Sequence, residues 1–228
     1  MQPNNNVLMV DERHNGPPNS GNGGWTSGLI AAFITDGTPE ITLHKPPPLL
    51  APLTVVPAAD GLRVVDASET VIATGRRREA DIEPVPPVSL ARAAAASENY
   101  PGHGTHHFPT CFVCGPQRPD GLRIFPGHLP EGGTAAVFEV PADIDAVMVW
   151  AALDCPGGWT VISGEHPWVL GRMAVALDEL PKPGEKCVVV GRDVRRDGRK
   201  ALVRTTLYGA DGRLCARAEA TWIAIPPV

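Results

Sequence analysis

Three short stretches hold residue types that could do chemistry. The first is WAALDCPGGW (150–159), an apolar run with one carboxylate, Asp154, just ahead of Pro156, Gly157 and Gly158. A charge among apolar residues costs free energy unless it is paired or used. Read as the start of a helix, this stretch would set Asp154 beside free N–H groups and the positive end of the helix dipole. There it could act as a base, with Gly157 and Gly158 letting a substrate approach the backbone and their N–H groups holding an oxyanion. It could equally be an N-cap, with Pro156 in the first turn. Cys155 would then be a thiol at a helix N-terminus, although His14 and His166 could reach it only through the fold.

The second stretch is HHFPTCFVCG (106–115), with two residues between Cys111 and Cys114 and with His103, His106 and His107 upstream. A zinc ion needs four such ligands, and they are available locally. No second Cys-x-x-Cys follows at zinc-ribbon spacing. The same pattern reads as a tight turn with buried sulfurs, and the expectation is no metal and no cofactor. No βαβ context supports a thioredoxin-like role. In the third stretch, NSGNGGWTSGLIAA (19–32), Asn19, Ser20 and Asn22, with Asn15 upstream, crowd the start of another helix candidate containing Gly23 and Gly24. They could bind a substrate carbonyl, and they are also ordinary turn and cap formers.

These stretches must be held by a mixed set of elements. Gly23-Gly24-Trp25 and Gly157-Gly158-Trp159 share a layout: a short helix candidate, a strand, a Pro-rich turn and another strand. Superposing the two Gly-Gly-Trp triplets gives an internal repeat with Ser20 opposite Asp154. β-type runs are Ile41–His44, Leu53–Val56, Leu62–Val65 and Thr70–Thr74 in the first half. In the second they are GLRIFPG and TAAVFEV, then Val169–Leu177, Cys187–Asp193, Lys200–Tyr208 and Arg213–Ile225. Hairpin turns fall at GADGR and at DASE. Between the halves, EPVPP is extended, and SLARAAAASE is a helix candidate capped by Ser89. The expected division is 1–82, a linker with a short helix over 83–110, and 111–228. The fold class is α+β, each half one helix with four or five antiparallel strands.

The 228 residues are enough for a sizeable core, and 43% hydrophobic with 20% charged residues is ordinary for a globular chain. A net charge of −5 argues against nucleic acid as partner. The basic runs GRRRE and GRDVRRDGRK read as solvated strand ends. No membrane span and no secretory leader are visible. Five cysteines, an odd number, fit a reduced, cytoplasmic protein.

One helix wrapped by a curved antiparallel sheet, twice in one chain, resembles the double hotdog fold. CFVCGPQRPDGL (111–122) resembles the Cys-x-x-Cys-Gly…Pro-x-Gly-Leu opening of many hotdog thioesterase-like proteins. WAALDCPGGW resembles the Leu-Asp element of the second hotdog helix of type II acyl-CoA thioesterases, and NSGNGGWTSGLIAA their first. The resemblance implies an acyl-CoA substrate, Asp154 orienting a hydrolytic water, an oxyanion held at Gly157–Gly158 or Gly23–Gly24, and a homo-oligomer. It also implies a Gln near Ala220 and a Thr/Ser-rich strand near Val194–Arg196, and the sequence has neither. CoA would lie along scattered basic residues such as Arg172, Arg192 and Arg195. No His follows an Asp by five positions, which disfavours a hotdog hydratase. An acyl-binding hotdog without turnover is the alternative.

Overall fold

A computed structural model of the chain describes residues 6–163 and 166–226. Residues 1–5 of the stretch read for a leader, and Gly164 at the end of the second repeat segment, lie outside the described residues.

Side-chain caps start the helices. Asn22 opens helix α1 (Gly23–Ala31) by accepting the Trp25 N–H at 2.8 Å. Asp145 opens helix α3 (Ala146–Gly158) by accepting the Met148 N–H at 2.8 Å. Ser89 caps the short helix α2 (Leu90–Glu98), as expected. Every α3 residue from Met148 to Gly158 is buried, so this helix is apolar all round and forms the axis of the core.

The strands of the first half are β1 (Val7–Leu8), β2 (Thr38–Leu43), β3 (Leu53–Ala58), β4 (Gly61–Val65) and β5 (Val71–Arg78). Those of the second are β6 (Gly127–His128), β7 (Thr134–Glu139), β8 (Trp168–Leu177), β9 (Lys186–Asp197), β10 (Lys200–Tyr208) and β11 (Leu214–Ala224). Together they form one eleven-stranded sheet in the order β1-β3-β4-β5-β2-β8-β11-β10-β9-β7-β6. Outward from the β2–β8 seam, the first half runs β2-β5-β4-β3-β1 and the second β8-β11-β10-β9-β7, the same succession. At the seam, Glu40 pairs with Ala174, Ile41 with Met173 and Thr42 with Arg172, all antiparallel. Arg78 crosses it to Glu219 at 2.8 Å. One helix per half, each wrapped by its part of this sheet, makes the tandem hotdog arrangement, of class α+β.

Helices α1 and α3 pack antiparallel and very close. A Cβ on Gly24 would lie 2.6 Å from Asp154 Cβ and 2.7 Å from the Trp150 carbonyl oxygen. One on Gly28, a turn later, would lie 2.9 Å from Trp150 Cβ. Two glycines on one face of α1 are therefore what allows the helices to touch through their backbones.

In the second half both sheet faces are covered. Cys187 and Val189 point to the α3 side, while Val188 and Val190 join Val85, Ala93, Ala96, Ala135 and Tyr208 in a separate cluster on the other side. The 83–98 segment lies across that outer face. The Val85 N–H donates to Thr206 Oγ1 at 2.8 Å, and the Tyr208 hydroxyl donates to the Val85 carbonyl at 2.7 Å.

Three expectations are corrected. First, the Gly-Gly-Trp repeat dissolves: Gly23 and Gly24 open α1, whereas Gly157 and Gly158 close α3. Second, Asp154 is the ninth residue of α3 and not its cap, so Ser20 is not its counterpart. The true start signal is Asp145, followed by the apolar run that holds Asp154. Third, GLRIFPG is not a strand before Gly127. Its Leu122 and Ile124 N–H groups donate instead to the carbonyls of Phe112 and Val113, at 2.8 and 2.9 Å, zipping the segment to the cysteine turn. The hairpins at GADGR and DASE form where expected, the latter with Asp66 Oδ1 accepting the Ser68 and Thr70 N–H groups.

Candidate active site

The antiparallel packing brings the first turn of α1 against the C-terminal half of α3, and there the expected acid is found. Asp154 is 2% exposed. Its Oδ2 accepts the Gly24 N–H at 2.9 Å and Asn22 Nδ2–H at 3.1 Å. Its Oδ1 is buried without a hydrogen-bond partner among the described residues. Burial pushes the carboxyl up to about 7, against the lowering by the Gly24 N–H and Asn22 amide. An acid kept half-satisfied in the interior is costly, and such sites are where function concentrates.

Asp154 lines a cavity of about 390 Å³. Its walls are mainly apolar, with Trp159, Trp168, Leu170, Trp222 and Ile223 prominent. The exposed Lys45 and His44 stand among its lining residues. Size and lining suit a small organic group with a few fixed polar contacts. Arg172, Arg192 and Arg195 do not line it; the Arg172 Nε donates to Thr42 across the seam. Lys45 was missed in the sequence because it sits in a Pro-rich turn with no motif.

The other expected residues divide. Asn22, Gly23 and Asp154 line the cavity. Of the first three α1 amides, Gly24 N–H is taken by Asp154 and Trp25 N–H by Asn22. The Gly23 N–H has no acceptor among the described residues. Gly157 and Gly158 do not reach the site. They lie at the C-terminal end of α3, where free carbonyls and not N–H groups collect, so they cannot form an N-terminal oxyanion hole. Those carbonyls find hydroxyls: Thr134 donates to Pro156 and Thr160 to Gly157, at 2.6 and 2.7 Å. The glycines serve packing, against Thr205 and the Trp222 ring. Asn19 is an exposed turn residue at φ 59° and lies off the cavity. Asn15 is bound to Arg118 at 2.7 Å, away from Asp154. His14 stacks on Trp25 with ring centroids 3.6 Å apart.

The second stretch arrives at the same place. Cys111, Cys114 and Cys155 are all buried, with their sulfurs within 4.8 Å of one another. Cys155 is in the last turns of α3, not at a helix start. Hydrogen bonds from Cys114 and Cys155 hold the Cys111 thiol well below its ordinary range. Burial pushes Cys114 up, and the bond with Cys111 raises Cys155.

A helix-in-sheet unit repeated in one continuous sheet is the double hotdog fold. The comparisons with solved structures agree on the fold. A candidate thioesterase from Novosphingobium aromaticivorans is 16% identical, covering 96% of this chain and 95% of its own, with a TM-score of 0.60. A tesB protein of Mycobacterium avium subs paratuberculosis is 13% identical over 96% and 92%, with a TM-score of 0.59. A hot dog fold protein of unknown function from Alicyclobacillus acidocaldarius is 13% identical over 97% and 93%, with a TM-score of 0.54. No family model and no curated protein matches the chain. No helix among the described residues is long and apolar enough to cross a membrane.

Proposed function

We propose that the chain is a thioesterase that hydrolyses an acyl-CoA or related acyl thioester, with Asp154 orienting the attacking water. The observation that carries this reading is the free Oδ1 of a buried, cavity-lining carboxylate whose other oxygen is pinned by two donors. The pinning fixes the carboxylate plane, and Oδ1 remains to accept a proton from water. Water attacks the thioester carbonyl carbon, the carbonyl π electrons move to oxygen, and the Gly23 N–H at the positive end of α1 holds that oxyanion. Collapse re-forms the carbonyl and expels the thiolate, which takes up a proton. The acyl group occupies the tryptophan-lined cavity. Lys45 at the cavity, with its positive charge, meets the phosphates of a CoA-type carrier.

The alternative, an acyl-binding hotdog without turnover, is favoured by two positions. Ala220 is a buried apolar residue where the resemblance asks for Gln, and Val194–Arg196 are exposed on β9. A panel of acyl-CoA substrates with detection of free CoA separates the two. Asp154→Asn keeps shape and removes the base, and turnover is expected to fall about 10²–10⁴-fold. Turnover equal to wild type in Asp154→Asn overturns the hydrolytic role, and tight acyl-CoA binding without turnover in wild type establishes the alternative.

A further inference from the structure

We propose that Cys111, Cys114 and Cys155 bind one zinc ion through their three sulfurs, beside the acyl cavity. Ligands 2.3 Å from a tetrahedral zinc lie about 3.8 Å apart. Cys111 Sγ and Cys155 Sγ are 3.9 Å apart, and all three sulfurs fall within 4.8 Å. Hence the trio needs only small rotations to close on a metal.

The surroundings are arranged for anionic sulfur. The backbone of residues 109–115 wraps on itself, with Gly115 N–H donating to the Cys111 carbonyl at 2.9 Å. A Cβ on Gly115 would lie 2.5 Å from the Cys111 nitrogen and 2.6 Å from its carbonyl oxygen, so only glycine allows this knuckle. The knuckle turns Cys111 and Cys114 to the same side, toward α3. Two N–H donors then aim at the sulfurs: Asn22 Nδ2–H at Cys111, 3.8 Å, and His106 Nε2–H at Cys114, 3.4 Å. The Phe108 N–H donates to His106 Nδ1 at 2.9 Å, which puts the ring proton on Nε2, toward sulfur. Inert core thiols do not need such donors, whereas thiolates on a metal are supported by them. His106 is therefore an outer partner and not the fourth ligand. All three cysteines line the cavity, so the fourth position faces it and takes water or a ligand thiol. Three protein ligands with one open position is the pattern of zinc sites that keep a place for water or a substrate. Binding converts three thiols to thiolates and releases their protons.

The test needs no turnover, so it fails or succeeds separately from the thioesterase reading. Purified protein is assayed for zinc, then stripped with chelator and titrated with Co²⁺. One equivalent of zinc, and thiolate-to-cobalt charge-transfer absorption saturating at one equivalent, are expected. Cys114→Ser and Cys155→Ser should abolish that absorption, and His106→Ala should weaken cobalt affinity about 10–100-fold. Cys187→Ser, outside the trio, should leave it unchanged. If the cysteine variants do not fold, the wild-type cobalt titration alone decides. Absence of both zinc and charge-transfer absorption in wild type overturns the proposal. So does a thiol count in denaturant of three where the chain has five cysteines, which would make the trio a disulfide-forming pair plus one.

Discussion

Gly24→Ala measures how much the contact between α1 and α3 depends on bare backbone. The added methyl would meet Asp154 Cβ at 2.6 Å, the Trp150 carbonyl oxygen at 2.7 Å and Ala151 Cα at 3.1 Å. Two of these atoms are backbone inside the buried stretch of α3, so neither neighbour has a flexible end to yield. Overpacking of this kind costs about 1–3 kcal/mol. Pushing the helices apart also stretches the Gly24 N–H bond to Asp154, worth about 1.5–3 kcal/mol for a charged acceptor. The better helix propensity of alanine offsets about 1 kcal/mol. The net loss is about 1.5–5 kcal/mol. With a urea slope of about 2.5 kcal/mol/M, the unfolding midpoint should fall by about 0.6–2 M. Gly104→Ala is the control. Its methyl has one neighbour, the Pro101 carbonyl at 3.7 Å, and φ is −87°, so stability should hold or rise by about 0.4–1 kcal/mol. A Gly24→Ala midpoint within about 0.2 M of wild type would refute the packing argument, because the atoms in the way would have moved at no cost.

Asp145→Ala should cost about 1 kcal/mol by removing the α3 cap, measurable as a drop in Tm. Leu170→Phe fills part of the cavity wall and should shift any acyl preference toward shorter groups, read as kcat/KM across chain length. Arg213 grips both oxygens of Glu185, at 2.6 and 2.7 Å, and holds its carboxyl down at about 2, from an ordinary 4.5. A lowered folded-state value means that this stabilisation is complete above about pH 4.5 and drains away as pH falls toward about 2. The Tm gap between wild type and Glu185→Gln should therefore be full at pH 6 and narrow on acidification. A gap that does not change with pH would show that the pair contributes only packing.

The elements that depend on local rules were legible in the sequence. Ser89 with its alanine-rich run, and the turns at Asp66 and at GADGR, act through their own neighbours and formed as expected. The limits of α3 were not, because Pro156 and the paired glycines carry the local signature of a helix start. Pro156 instead sits in the last turns of α3, where Thr134 and Thr160 satisfy the terminal carbonyls of Pro156 and Gly157. Asp154 stands out in the sequence as a carboxylate in an apolar run, but its surroundings do not: its donors come from the tip of the other helix, with Gly24 130 residues away. The sulfur trio was hidden for the same cause. Spacing rules looked for a fourth ligand beside Cys111 and Cys114, while Cys155 lies 44 residues beyond Cys111 and meets it only through the wrap of the sheet.

The strap over the second half has a consequence for self-association. A duplicated fold begins with two equivalent convex surfaces, either of which could stack on another copy. Here the chain has upholstered one of them with its own connecting segment, Val85 and α2 seated on β7, β9 and β10. The molecule is thereby two-sided: on the second half its own connecting segment, and not another copy, covers the outer face of β7, β9 and β10.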